Sequence, residues 1–386
     1  MSTTTRSWGG RGAQTPVVAS TAAINGLGFN SHQTWAFWRA EVTPLVASPF
    51  RLNNGERATM AHVRTLDPKA TGGDRLAALV VEALAQLEPG LAAMNADARL
   101  KVSLCVSERL GQLGDPYFGP QRRQLERALV GWFATHDRAP EIEVVARGHA
   151  GFAQALLEGC DAVMADTLDA VVVGGVDSAY DPLVVDILME QERIFDQVQT
   201  DGFIPGEGAA LAIVTRHSRS RHWSLPTLAR IETVARSAEP VDMSSDAPST
   251  GLGLTSAMKA CTDRLREEHR RLEWLLGDLT NETYRAQEFQ LAFPRAFAPG
   301  GLDTAGQSYR EVTIDDLQGS FLPAVFGDLG AATMPTALVL ATEAFARGRP
   351  NAGNCLIIGS SEGEERGAVL LSRQPSGDKA RSEEGP

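Results

Sequence analysis

The chain has 386 residues, 43% hydrophobic and 22% charged, the balance of a folded globular protein rather than a disordered or fibrous one. A net charge of −12 excludes nucleic acid as a general partner, because phosphate binding needs clustered cations. No apolar run approaches the roughly 18 residues of a membrane span, so none is expected. "MSTTTRSWGGRGAQTP" has no hydrophobic signal core, which makes a cytoplasmic location the expectation.

Residues 1–14 are polar and Gly-rich and are expected to be disordered. "TPVVASTAAI" (15–24) reads as a buried strand. "SHQTWAFWRAEV" (31–42) reads as a helix capped by Ser31. "DRLAALVVEALAQLE" (74–88) is an amphipathic helix with Asp74 as N-cap. Strand "LKVSLCVSE" (100–108), helix "PQRRQLERALVGWFATH" (120–136, with Pro120 near its first position) and strand "EIEVVAR" (141–147) follow. A helix from Gly151 leads to strands 169–178 and 206–216. Strand "TLARIETVARS" (227–237) comes next. "DRLREEHRRLEWLL" (263–276) alternates charges with a leucine stripe and reads as an exposed amphipathic helix. Helix 330–347 then leads to strands 354–363 and 366–373, with "SSEGEERG" (360–367) as an acidic, solvated hairpin turn. The tail 373–386 is expected to be disordered.

This alternation predicts an α/β fold with buried sheets. In both halves a helix leads to a strand ending in glycine, then to a second Gly/Ala-led strand. A duplicated lobe accounts for this: residues 15–222 and 223–372, divided near "RHSRSRHWSLPT" (216–227).

The chemistry is restricted. Cys105, Cys160, Cys261 and Cys355 are widely spaced, with no CxxC, and read as reduced, buried thiols. Lysine occurs only at positions 69, 101, 259 and 379, and His269 is the last histidine. Residues 270–378 therefore offer neither group to a mechanism. HExxH, a P-loop and paired metal-ligand spacings are all missing, so no cofactor or metal is expected.

"DAVVVGGVDSAYDP" followed by "DGFIPGEGAALAIV" (201–214) resembles the β-ketoacyl synthase family. "NGLGFNSHQTW" looks like that family's first glycine turn and helix. The resemblance covers roughly residues 15–372. It implies a thiolase-like, five-layered αβαβα fold of two pseudo-repeated lobes, a homodimer, and acyl-thioester chemistry in relatives. Such relatives carry a nucleophilic cysteine at the N-terminus of a buried helix, where the dipole and backbone N–H groups activate it. Here that place holds Arg147-Gly148-His149, and Cys160 lies at the helix's far end, about 15 Å away at 1.5 Å per residue. The family's first second-lobe histidine corresponds to Thr280 or Asn281. Its second corresponds to Asp328 in "FGDLGAAT", and its glycine gate to "GSSEGE".

Each position has two readings. His149 is either a base, its imidazole kept neutral by the helix N-terminus, or a packing residue; no partner motif supports the base. Arg147-Gly148 either holds an anion or forms a structural ion pair, and the chain's many acids favour the pair. Asp328 is either a base or the N-cap of helix 330–347, and capping is favoured. Asp278, Glu282, Arg285 and Glu288 form either a partner surface or a solvated helix start. The resemblance thus implies a catalytically degenerate protein that binds or scaffolds. It is similar to the chain-length-factor partners of ketosynthases, and to thiolase-like proteins encoded with type VI secretion effectors through "NETYRAQEF", "FGDLGAAT" and "GSSEG". The expected partners are a second copy of the chain and an effector, adaptor, ketosynthase or acyl carrier protein. The alternative is an acyltransferase or decarboxylase in which His149, Asp328 and Thr280 meet without a covalent cysteine.

Overall fold

The structure is a computed structural model that describes residues 3–8, 14–245, 247–297, 317–349 and 353–374. In chain order its elements begin with β1 (Thr4–Ser7), β2 (Pro16–Asn25), α1 (Ser31–Arg39), β3 (Leu45–Arg51), β4 (Arg57–Ala61) and α2 (Gly72–Ala92). Next come β5 (Leu100–Val106), α3 (Phe118–Ala134), β6 (Glu141–Ala146), α4 (Gly151–Met164), β7 (Ala170–Ser178), α5 (Pro182–Glu190) and β8 (Glu207–Arg216). They continue with α6 (His217–His222), β9 (Ala229–Ala238), α7 (Leu252–Glu267), β10 (Trp274–Gly277) and α8 (Thr283–Phe297). The last are β11 (Gln318–Phe321), α9 (Pro323–Phe326), α10 (Thr333–Ala346), β12 (Asn354–Ser360) and β13 (Glu365–Ser372).

Two half-sheets carry the fold. One runs β2-β8-β7-β5-β6, the other β9-β13-β12-β10-β11. They meet where β2 pairs with β9 at Val17↔Arg230 and Val18↔Ala229. β7 is buried along its whole length, parallel to β5 and antiparallel to β8, so its apolar run is continuous rather than alternating. α4 and α10 pack against both half-sheets and form the middle layer. α2 and α3 cover the first half-sheet, α7 and α8 the second. The result is the α/β, five-layered αβαβα arrangement. α10 is buried continuously from Thr333 to Thr342, as a helix apolar on all sides must be.

Local corrections are instructive. Asn30, not Ser31, caps α1: its side chain accepts from the Gln33 N–H at 2.8 Å. α2 starts at Gly72 after Thr71, which leaves Asp74 inside the first turn. Residues 4–7, expected to be disordered, form β1 and pair antiparallel with β9. The remaining residues of 1–14 and of the tail lie partly outside the described set, including 375–386. The helix expected over 263–276 ends at Glu267, and Trp274–Gly277 is a strand between β11 and β12. Leu272 and Trp274 are fully buried, so the leucine stripe belonged to two elements rather than one face.

Candidate functional site

A cleft opens where the N-terminus of α4 meets the turn that leads into α10. Its wall comes from Ser107–Arg109 after β5, the Gly148-His149 turn, Asp177 at the end of β7, the 203–206 segment, Asp328–Gly330, and Glu362 from the β12–β13 turn. The backbone locks these pieces together. Gly206 N donates to Asp328 O at 3.0 Å and Asp328 N to Ile204 O at 2.8 Å. The Ala150 N–H, at the start of α4, donates to Ser361 Oγ at 3.0 Å. Ser361 in turn donates to Arg147 O. The turn at 360–364 is therefore part of the wall, with Ser361 buried, rather than a solvated acidic hairpin.

His149 and Asp328 meet inside this cleft. Nε2 of His149 lies 2.8 Å from Asp328 Oδ1, with both side chains 6% exposed. Burial alone would lower the His149 pKa, but the Asp328 charge and hydrogen bond more than offset it and the net shift is upward. Burial would raise Asp328, yet His149, Arg285 and the Gly330 N–H hold it well below the ordinary carboxylate value. Contact between the two groups thus favours the charged form of each. This corrects the expectation of a neutral imidazole lowered by the helix N-terminus: a carboxylate in contact outweighs the partial charge of a helix end. Asp328 also accepts from the Gly330 N–H at 3.0 Å, so it caps the turn into α10 while holding the histidine.

The other sequence-chosen residues divide. Arg147, partly exposed, forms an ion pair with Glu365. Gly148 adopts φ +62° and packs against Glu108. Thr280 stands outside the cleft wall, donating to Glu282 Oε2 at 2.9 Å, and Asn281 is exposed. Asp278, Glu282, Arg285 and Glu288 are neither a solvated helix start nor a partner surface, for all four are buried. Arg285 pairs with Asp278 at 3.2 Å and Glu282 at 3.3 Å, and Glu288 with Arg366 at 2.6 Å. Arg193 bridges Glu282 at 2.8 Å to Glu362 at 2.7 Å, which connects this buried network to the cleft.

Sequence reasoning missed Glu108, Arg109, Asp177 and Glu362. Burial, then repulsion from Glu362, pushes the Glu108 carboxyl up, and a Gly363 N–H at 3.2 Å offsets this only in part. Burial pushes Asp177 up as well, although it accepts from Ala331 N at 3.1 Å. Arg193 keeps Glu362 low against its burial. The one available signal was position: Glu108 lies just after β5 and Asp177 is the next-to-last residue of β7, at the C-terminal ends of central strands, where open α/β sheets place their sites.

Thiol chemistry has no foothold here. All four cysteines are fully buried, and burial pushes every thiol pKa up. Cys105 lies beneath the start of α4, where a β-carbon on Gly151 would stand 3.8 Å from its Sγ. The cleft cavity itself is about 30 Å³, room for roughly two waters. Among the described residues no group of three His, Cys, Asp or Glu is placed to hold a metal ion, and no helix is long and apolar enough to cross a membrane.

No protein-family model matches the chain, and no curated protein matches it. Solved structures do. A ketosynthase in complex with its chain length factor from Xenorhabdus doucetiae superposes with a TM-score of 0.70 at 16% identity, covering 95% of this chain and 100% of that one. The ishigamide ketosynthase/chain length factor gives 0.71 at 14% identity, covering 93% and 99%. A type II polyketide acyl-carrier protein in complex with its ketosynthase, bound to the hexaketide, gives 0.71 at 12% identity, with the same coverage of 93% and 99%. At these identities it is the fold that is shared: the chain has the thiolase-like architecture of the ketosynthases and their chain length factors.

Proposed function

We propose that this chain is a non-condensing protein of ketosynthase fold that works by binding another protein. The observation that carries this reading is the His149–Asp328 ion pair. It occupies the helix N-terminus where the family it resembles places its thiol. Nε2 of His149 is taken up by Asp328, and nucleophilic catalysis needs an activated attacking group that this turn does not carry as a thiol. The buried cysteines and the small cavity support the same reading.

Two forms of partner follow from the resemblances. A second thiolase-fold chain is favoured, because β6 ends its half-sheet with one edge unpaired among the described residues, and because structural neighbours include a ketosynthase in complex with its chain length factor. A homodimer through this edge is the simplest case. An adaptor role for secretion effectors takes second place. It rests on "NETYRAQEF" and related motifs, and the charged residues Glu282, Arg285 and Glu288 of that stretch are occupied inside the protein.

The enzymatic alternative has its own support in the two cleft carboxyls, Glu108 and Asp177, which are pushed up and could donate protons. The deciding experiment exposes purified protein to malonyl- and acyl-thioesters of coenzyme A and of carrier protein. Intact mass and released carbon dioxide are then recorded. No adduct and no carbon dioxide are expected. A covalent adduct, or decarboxylation lost in His149→Ala, would overturn the binding reading.

A further inference from the structure

At the opposite end of α10 from the cleft, arginines and indoles gather on one face. α10 is 14 residues long, which at 1.5 Å per residue puts this face about 20 Å from the His149–Asp328 pair. Arg349 lies 4.5 Å from the Trp274 ring centroid and 5.5 Å from that of Trp38. Arg39 sits 5.1 Å and Arg347 5.9 Å from the Trp35 ring. The three indoles are themselves in contact, with centroids at 6.1 Å and 5.7 Å. Arg373 donates to the Arg349 carbonyl at 2.6 Å and adds a fourth guanidinium.

The charges on this face are poorly balanced. Glu343 pairs with Arg347 at 2.6 Å, while Arg39, Arg349 and Arg373 have no carboxylate partner among the described residues. Burial lowers the Arg349 pKa, and the nearby Arg39 charge adds to it. α1 contributes no acid to the face, and its outward side carries His32, Ala36, Phe37 and Arg39, while the exposed Glu41 follows it next to Val42. Phe29, Phe37 and Val42 beside it are 50%, 43% and 45% exposed. A cationic face edged by exposed apolar side chains, on a chain of net charge −12, is a local spot attractive to acids.

We propose that this face docks an acidic, amphipathic segment of a protein partner, a proposal that rests on the binding role above. Carboxylates on the segment would meet Arg39, Arg347 and Arg349, and its apolar side would cover Phe37 and Val42. Arginine is among the residue types that dominate such contacts, and the indoles, Trp35 and Trp274 buried beneath, hold the guanidiniums in place.

The test uses the full chain and a fluorescein-labelled synthetic peptide with Glu and Leu at helical spacing. Binding is read by anisotropy at near-physiological salt, and the footprint by hydrogen exchange. The Arg39→Glu/Arg347→Glu variant changes two exposed side chains, and is expected to weaken binding by about tenfold or more. Arg51→Glu/Arg57→Glu, the same charge change on the β3–β4 hairpin, should leave binding nearly unaltered. Protection should appear over residues 31–42 and 343–349. Equal losses in both variants, or protection elsewhere, would overturn the proposal. So would tighter binding after deletion of residues 375–386, which would assign the face to the chain's own tail. Binding to phosphatidylserine vesicles through the same arginines, without binding to the peptide, would assign it to a lipid surface instead. None of these outcomes alters the thioester result, so the two readings fail separately.

Discussion

His149 in the turn that enters one central helix and Asp328 at the entrance to the other are joined by a 2.8 Å hydrogen bond across 179 positions of sequence. Two buried charges so placed are costly to separate. His149→Ala leaves an unpaired carboxylate inside the protein, and about 3–5 kcal/mol of stability should be lost. The His149→Ala/Asp328→Ala double variant should be less destabilised than the sum of the single variants, by about 1–3 kcal/mol. Urea denaturation of the four proteins checks this, and strict additivity would mean the two groups do not interact.

The same pair sets a pH window. His149 is raised above its ordinary 6.5, so its stabilisation is full below that pH and fades as pH climbs through the raised folded value. Asp328 is lowered from 3.8, so its stabilisation is full above that pH and fades as pH falls through the depressed folded value. The stability difference between wild type and the double variant should therefore be largest between about pH 4 and 6.5 and shrink on both sides. Denaturation curves across that range provide the measurement.

Arg75 and Glu207 form a second interior pair, with 2.6 Å contacts from Nε and Nη2 and side chains 1% and 0% exposed. Glu207 also accepts from Val63 N at 2.6 Å and Ser178 Oγ at 2.7 Å. Arg75→Met keeps bulk but strands the carboxylate, and should cost about 3–5 kcal/mol. Glu207→Gln keeps the hydrogen-bonding shape and should cost less. Thermal midpoints of the two variants give the order.

The thiols should be silent. Cys105, Cys160, Cys261 and Cys355 are each fully buried with raised pKa values, and the thiolate is the reactive form. Iodoacetamide should add no mass to the native protein and four carbamidomethyl groups to the denatured one. Rapid labelling of one native cysteine would reveal a reactive thiol and reopen covalent chemistry.

Gly330 has φ +53°, and a β-carbon there would collide with the Asp177 carboxylate. Gly330→Ala should cost at least about 1–2 kcal/mol from the left-handed backbone alone. Gly348, at φ +63° with open space around it, should show only that backbone cost on substitution. A chemical-denaturation comparison of the two variants separates backbone strain from the collision.

Strand and helix positions were legible because burial imposes a period or a continuous apolar run: 169–178 and 330–347 were read nearly to their ends. Charged residues were not. Arg285 and Glu288 look like a solvated helix face because the partners that permit their burial are partly remote: Arg366 lies 78 positions from Glu288. Glu207 likewise sits in a glycine-rich strand, while its partner Arg75 is 132 positions away. At the site, the position of Arg147-Gly148-His149 at a helix start was visible. The upward shift of His149 was not, since it depends on a carboxylate brought in by the fold. The 263–276 stretch misled because its leucines keep helical spacing across a helix end and a strand.

α10 is a stiff rod in the middle layer, gripped by both half-sheets, with the ion pair at its leading tip and the arginines at its trailing one. A close-packed interior gives such a rod little room to slide or to bend. The two ends of α10 are therefore held at a fixed separation of about 20 Å, and side chains exchanged at one end leave the frame of the other in place.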